Sequence, residues 1–242
     1  MNEITEGHTV KGYDVDLAGL RLGLLEMGGL VLDQVQRAIS ALVNGDETLA
    51  RSVLSREEEV NTYDVRIEED IVTLIARRQP MGSDLRIVIS IARAVSDLER
   101  VGDEAKKIAN AMLRGDGKRS SRPSPQLARD ARHMSHLALQ MLRDALDTFD
   151  RTDAAAAVEV VRCDQELNAE FQAALRRLLT QVMEDPRRLP AMLDAVAVLK
   201  SLERVGDHAK NIARYVLYVV EGRDVRHEDT AVLLAEGARS AR

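Results

Sequence analysis

Apolar residues recur along this chain of 242 residues at steps of three and four, the period of an α-helix. The steps are most regular in one line of positions, the first seam: Ile87, Ile91, Ala94, Leu98, Val101, Ala105, Ile108 and Met112. A second seam with the same spacing follows in the other half of the chain: Ala195, Val198, Leu202, Val205, Ala209, Ile212 and Val216. Because such a stripe must be buried against other helices, both seams predict core-forming helices.

Gly, Asp and Pro clusters divide the periodic pattern into six long helices. Three are predicted in the first half, over 14–44, 47–78 and 84–113. Three more are predicted in the second half, over 126–150, 154–183 and 187–221. The stretch between the halves is rich in Gly, Ser, Pro and charge, which is typical of a linker.

The two halves also repeat each other in sequence. The segment LERVGDEAKKIA at 98–109 returns as LERVGDHAKNIA at 202–213. The segment 44–61 aligns without a gap to 151–168, and this alignment predicts Asp46 and Asp153 as equivalent helix N-caps. We therefore predict an all-α fold of two tandem three-helix bundles that arose by internal duplication. The predicted division is a flexible N-terminus over 1–13, a first repeat over 14–113, a linker over 114–125, a second repeat over 126–222 and a tail over 223–242.

Composition narrows the functional classes. Aromatic residues make up 2% of the chain and Trp is absent, which suits helix-on-helix packing by aliphatic side chains. The 40 acidic and 34 basic residues are well mixed, so a nucleic-acid partner is not expected. The single cysteine, Cys163, cannot form an internal disulfide, and no signal peptide or long apolar run is present. These features predict a cytoplasmic protein whose contact with a membrane would be peripheral.

Paired carboxylates beside each seam are the first candidate chemistry. Glu99 and Asp103 are four residues apart and share one helical face, as do Glu203 and Asp207. Like charges at this spacing cost about 0.2–0.5 kcal/mol, so a positive charge is expected nearby. Two sources of positive charge are open. One is a multivalent cation held by oxygen ligands, and the other is the set of neighbouring basic residues: Lys106, Lys210, Arg100 and Arg204.

Two further features favour the cation. A glycine follows each Glu in mid-helix, Gly102 and Gly206, where it suggests the close approach of another backbone. The preceding helix of each repeat carries a polar pair that is also four apart: Glu57 with Asn61, and Asp164 with Asn168. His133 and His136 could also pair on a metal, although the spacing fits the polar face of a helix better.

Motifs of catalysis are missing from the sequence. It contains no phosphate-binding glycine loop, no nucleophile elbow and no Glu-x-x-His pair of a di-iron enzyme. A non-enzymatic function is therefore predicted. The open alternatives are a metal-dependent hydrolase or a metal-storage bundle that uses the same carboxylates, and a helical scaffold without metal.

Four segments resemble the PhoU family of bacterial phosphate-signalling proteins: RRQPMGSDLR, SDLERVGDEAKKIA, SLERVGDHAKNIA and YVVEGRDVRH. The resemblance runs from about residue 14 to 227. It implies two three-helix bundles, commonly in a homodimer. It also implies negative regulation of the phosphate-starvation response and modulation of phosphate uptake. The implied partners are the ATP-binding subunit of the phosphate ABC transporter and the sensor histidine kinase of the phosphate regulon.

The resemblance also implies metal ligands. Members of the family carry an acidic motif that binds iron, zinc or similar ions, and it falls here on Glu99 with Asp103 and on Glu203 with Asp207. Further candidate ligands are Asp97, Glu57, Asn61, Asp164 and Asn168. The two repeats differ where Glu104 stands opposite His208 and Asp97 opposite Ser201. The two sites are therefore not expected to bind a cation identically.

Overall fold

Long helices account for the structure, a computed structural model that describes residues 11–114, 123–225 and 228. The helices are α1 (Lys11–Asn44), α2 (Glu47–Ser55), α3 (Glu57–Arg78), α4 (Ser83–Leu113), α5 (Pro125–Arg151), α6 (Ala154–Glu184) and α7 (Leu189–Glu221). A short 3₁₀-helix, Pro186–Arg188, joins the last two. No strand occurs among the described residues, and the predicted all-α fold is confirmed.

Equivalent aspartates begin the second helical segment of each repeat. Asp46 accepts a hydrogen bond from the backbone N–H of Leu49 at 2.9 Å, and Asp153 accepts one from Ala156 at 3.0 Å. Each carboxylate satisfies an N–H that has no partner within the helix, and its negative charge lies at the positive end of the helix dipole. The N-caps predicted from the gapless alignment are therefore confirmed.

The helix predicted over 47–78 is divided in two at Arg56. The hydroxyl of Ser52 donates to Leu49 O at 2.7 Å and that of Ser55 donates to Ser52 O at 3.0 Å, so side chains compete for carbonyls of the helix ladder. Arg56 then reaches across to Asp33 on α1. The second repeat carries no serine at the corresponding positions, and α6 runs without a break.

Both seams are buried, as predicted, and they lie on adjacent helices. Every residue of the two seams is at most 4% exposed. Helix α4 packs on α7, and α1 packs on α5, so the apolar residues of the two halves form one continuous core. Asp97 of α4 contacts Tyr215 of α7, and Glu104, further along α4, contacts Arg204, which comes earlier in α7. The two helices are therefore antiparallel.

The predicted flexible ends and linker lie largely outside the residues that the structure describes. The residues outside the description are 1–10, 115–122, 226–227 and 229–242. Next to these segments, Tyr13 is buried in the first turn of α1 and Val225 is buried just beyond α7. The division into two repeats with flexible ends stays a prediction. None of the described helices contains a stretch that is both long enough and apolar enough to span a lipid bilayer.

Candidate functional site

Four carboxylates from two helices of the first repeat interact with one another. We call them the first acidic group: Glu57 and Asp64 on α3, and Glu99 and Asp103 on α4. Burial raises the pKa of Glu99, and the negative charges of Asp103, Asp64 and Glu57 raise it further. Asp64 was not singled out from the sequence, although its spacing of seven from Glu57 places it on the same helical face.

Two basic residues partly offset this charge. Lys106 Nζ donates to Glu57 Oε1, and this hydrogen bond, followed by the electrostatic effect of the acidic neighbours, raises the pKa of Lys106. The predicted ligand Asn61 lies exposed on α3. The positive charge of Arg100 also acts on Glu99 and opposes the rise in its pKa. Four carboxylates therefore share two basic groups, which leaves the first acidic group with excess negative charge.

The corresponding face of the second repeat is arranged differently. Lys210 Nζ donates to Asp164 Oδ2 and to Asp207 Oδ1, both at 2.8 Å, and Asn168 donates to Asp164 at 3.1 Å. Glu203 is directed elsewhere, since its carboxylate lies 2.5 Å from Lys200 Nζ. The structure therefore brings three of the predicted ligands together, but an ammonium group lies between the two carboxylates and the amide binds only Asp164.

The two acidic faces differ as possible cation sites. In the first repeat the possible ligands are mostly carboxylates, and their negative charge is only partly neutralised. Both properties suit a hard multivalent cation. In the second repeat Lys210 occupies the position where a cation would contact Asp164 and Asp207. Within residues 11–114, 123–225 and 228, no three His, Cys, Asp or Glu side chains are arranged to hold a metal ion. The metal ligands predicted from the sequence stay a prediction.

Asp97 is not directed toward Glu99 and Asp103. It is 3% exposed and binds three side chains of α7. Tyr215 Oη donates to Asp97 Oδ2 at 2.6 Å, Asn211 Nδ2 donates to Oδ1 at 3.3 Å, and His208 Nδ1 lies 2.7 Å from Oδ1. Asp97 thus joins the two halves of the protein, and its buried charge is met by three polar groups.

The differences between the repeats lie at this same crossing of α4 and α7. Glu104, the counterpart of His208, is 3% exposed and accepts from Lys107 at 2.8 Å and from Arg204 at 3.3 Å. Burial by itself would raise the pKa of Glu104, but hydrogen bonds from Lys107, Ser201 and Arg204 lower it. Asp97 thus faces His208, while Glu104 faces Ser201, the counterpart of Asp97. Both buried carboxylates of the crossing therefore lie on α4, and each meets uncharged or basic groups of α7.

The mid-helix glycines are approached by side chains, where the sequence had suggested a backbone. A Cβ at Gly206 would overlap Cδ2 of Leu167, which is fully buried. A Cβ at Gly102 would lie 3.3 Å from Oε1 of Gln34. The glycines therefore let helices of the same repeat pack closely beside the acidic faces.

Comparison with known proteins agrees with this duplicated architecture. A family described as the PhoU domain matches residues 24–112 and again residues 131–216. The chain belongs to the PhoU family. The two matches coincide with the two halves that carry the seams, so both copies of LERVGD lie within PhoU domains.

Relatives and solved structures support the PhoU assignment over most of the chain. A protein of Pseudomonas putida named phosphate-specific transport system accessory protein PhoU homolog is 43% identical, over 95% of this chain and 88% of its own length. The accessory protein PhoU of Escherichia coli K12 is 38% identical, over 91% and 90%. The crystal structure of PhoU from Pseudomonas aeruginosa matches with a TM-score of 0.81 and 42% identity, over 87% of this chain and all of that one.

Proposed function

We propose that this chain is a non-catalytic accessory protein of a phosphate-transport system. In this role it would repress the phosphate-starvation response and modulate phosphate uptake. The observation that carries the proposal is family membership along nearly the whole length of relatives that are named for this transport system. The absence of catalytic motifs from the sequence agrees with an action by protein contact.

The partners we propose are the ATP-binding subunit of the phosphate ABC transporter and the sensor histidine kinase of the phosphate regulon. The protein would connect them as a homodimer in the cytoplasm, at the inner face of the membrane. Large apolar side chains on the surface suit such docking: Met81 is 81% exposed, Met183 85% and Leu193 60%. All three lie on or next to the turns that join α3 to α4 and α6 to α7.

Deletion of the gene tests this function. In phosphate-replete medium, the deletion strain is expected to express phosphate-starvation genes at the level of starved cells, as measured by a reporter of the regulon. Expression of the intact chain from a plasmid should restore repression. Normal repression in the deletion strain would contradict the proposal.

We also propose that the first acidic group binds a multivalent cation, either iron, zinc or a magnesium-like ion. Glu99 and Asp103 would hold it, together with Glu57 and Asp64. The cation would supply the positive charge that these carboxylates lack, and through it α3 and α4 would be held together. An equivalent site at Glu203 and Asp207 would first require Lys210 to leave Asp207.

Replacing Glu99 with Gln separates the stability of this group from its affinity for metal. In chelator, Glu99→Gln is expected to raise the free energy of unfolding near neutral pH by about 0.2–0.5 kcal/mol, because it removes repulsion on one helical face. The folded-state pKa of Glu99 is raised, so the stability that its protonated form contributes is lost as the pH rises through that pKa. The advantage of Gln should therefore vanish in acid.

The measurements are urea unfolding at several pH values and elemental analysis of protein purified without chelator. Glu99→Gln should carry less metal than the parent protein, whereas the control Glu69→Gln, at an exposed position of α3, should carry the same amount. Full metal content in Glu99→Gln would place the cation elsewhere. A protein without stoichiometric metal would favour the helical scaffold.

A further inference from the structure

A cavity of about 330 Å³ opens where α4 crosses α7, between the two repeats. We call it the crossing cavity. Three cationic side chains line it: Arg100 and Lys107 from α4, and Arg204 from α7. Cations from both halves of the chain therefore converge on one space, which is roomy enough for a small oxyanion and its water.

A buried carboxylate positions two of these cations. Glu104 accepts from both Lys107 and Arg204, and its side chain is only 4% exposed, whereas theirs are 53% and 51% exposed. Glu104 thus holds the ammonium group of Lys107 and the guanidinium group of Arg204 in place. Their remaining N–H donors stay available to a ligand in the cavity. Arginine donors that are fixed in this way suit the tetrahedral oxygens of a phosphate group.

Arg100 is the third donor. Its positive charge acts on Glu99, but it makes no hydrogen bond or ion pair with any residue that the structure describes, although it lines a cavity between two helices. The acidic residue on the opposite side of the cavity, Asp207, is already paired with Lys210 at 2.8 Å. The crossing cavity therefore offers more unpaired donors than Glu104 alone can satisfy.

The cavity also contains an acceptor. Asp103 lines it, and no described residue donates a hydrogen bond to its carboxylate. A ligand that fits this cavity must accept hydrogen bonds from the cationic side chains and donate one hydrogen bond to the carboxylate of Asp103. Hydrogen phosphate does so, because it keeps one P–O–H at neutral pH, whereas sulfate has acceptors only.

We propose that in the metal-free protein the crossing cavity binds inorganic hydrogen phosphate, with Arg100, Lys107 and Arg204 as donors and Asp103 as the acceptor of its P–O–H. Phosphate is chosen among oxyanions because the proposed function concerns phosphate, and to that extent the inference rests on it. A bound phosphate would contact both repeats at once. Its occupancy would thereby strengthen the packing of α4 on α7.

Isothermal titration of the metal-free, full-length protein with inorganic phosphate tests the proposal. Near pH 8, a phosphate monoester has lost its last proton, since its second pKa is about 6, while inorganic phosphate keeps one. Phosphate should therefore bind at least about tenfold more tightly than glycerol phosphate or sulfate, the difference expected for one charged hydrogen bond. Equal binding of all three would show non-selective attraction of anions and overturn the proposal.

Variants locate the site. Arg100→Gln should weaken phosphate binding about tenfold, because one charged donor is lost. The matched control Arg51→Gln, at an exposed position of α2, should bind as the parent does. Asp103→Asn should reduce the preference for phosphate over sulfate. Circular dichroism of each variant checks that the helices are retained.

The binding experiment and the gene deletion test the two proposals independently of each other. If no heat of binding is detected, or if Arg100→Gln binds phosphate as the parent does, the crossing cavity is not a phosphate site. Deregulated starvation genes in the deletion strain would still support the accessory role. Normal repression in that strain together with Arg100-dependent binding would support the cavity and contradict the role.

Discussion

Replacing Asp97 with Ala is expected to lower the free energy of unfolding by about 1–3 kcal/mol for each buried polar partner that loses its acceptor. Asp97 is 3% exposed, and Tyr215, Asn211 and His208 all direct polar groups to it. Its removal leaves these groups without their acceptor at the packed crossing of α4 and α7. Since all three partners lie on α7, the loss should loosen the contact between the two repeats.

Urea unfolding followed by far-UV circular dichroism measures this effect. Asp70→Ala is the matched control, because Asp70 is exposed on α3, and its substitution should change stability by less than about 0.5 kcal/mol. If Asp97→Ala unfolds at the same urea concentration as this control, the network across the crossing contributes no stability. The assignment of Asp97 to the joint between the repeats would then fail.

The second large effect is expected in the core of the second repeat. Leu167→Ala should cost about 2–5 kcal/mol, because it removes a fully buried side chain and leaves a cavity. By itself, Gly206→Ala should also destabilise the protein, by about 1–3 kcal/mol, because its Cβ would overlap Leu167 Cδ2. In the Leu167→Ala background the same methyl group fills the space left by Leu167, so we expect it to recover stability there.

A double-mutant cycle checks the contact. The coupling between positions 167 and 206 should amount to about 0.5–3 kcal/mol, as is usual for residues in contact. Gly102→Ala serves as the comparison in the first repeat, where a Cβ lies 3.3 Å from Gln34 Oε1 and requires only a small shift. Strictly additive costs at 167 and 206 would mean that the close packing at Gly206 is not what requires glycine.

Much of the fold follows from local pattern. The steps of three and four in the two seams predict helices and also predict which face of each is buried, because both properties depend on neighbours within two turns. The N-caps Asp46 and Asp153 were predicted for the same reason. The break at Arg56 was missed, since it arises from two serine hydroxyls whose effect on the backbone is weak and from a partner on another helix.

The candidate site, too, was predicted from the sequence only where it depends on local helical spacing. The pairing of Glu99 with Asp103 on one face is a matter of helical spacing, and Lys106 and Lys210 were foreseen as the alternative source of positive charge. The sequence suggested Asp97 as a further ligand of that face, whereas it is bonded to α7. Its partners lie more than a hundred residues away, and helical spacing carries no information about them.

Sequence alone determined that this protein consists of two similar sets of helices, each with a buried seam and a carboxylate pair beside it. Duplication and periodicity are properties of the chain, and they need no knowledge of how the helices pack. Only the tertiary structure decided that α4 crosses α7 with Asp97 opposite His208 and Glu104 opposite Ser201. The register of that crossing depends on the simultaneous packing of both repeats, and it is this register that creates the crossing cavity.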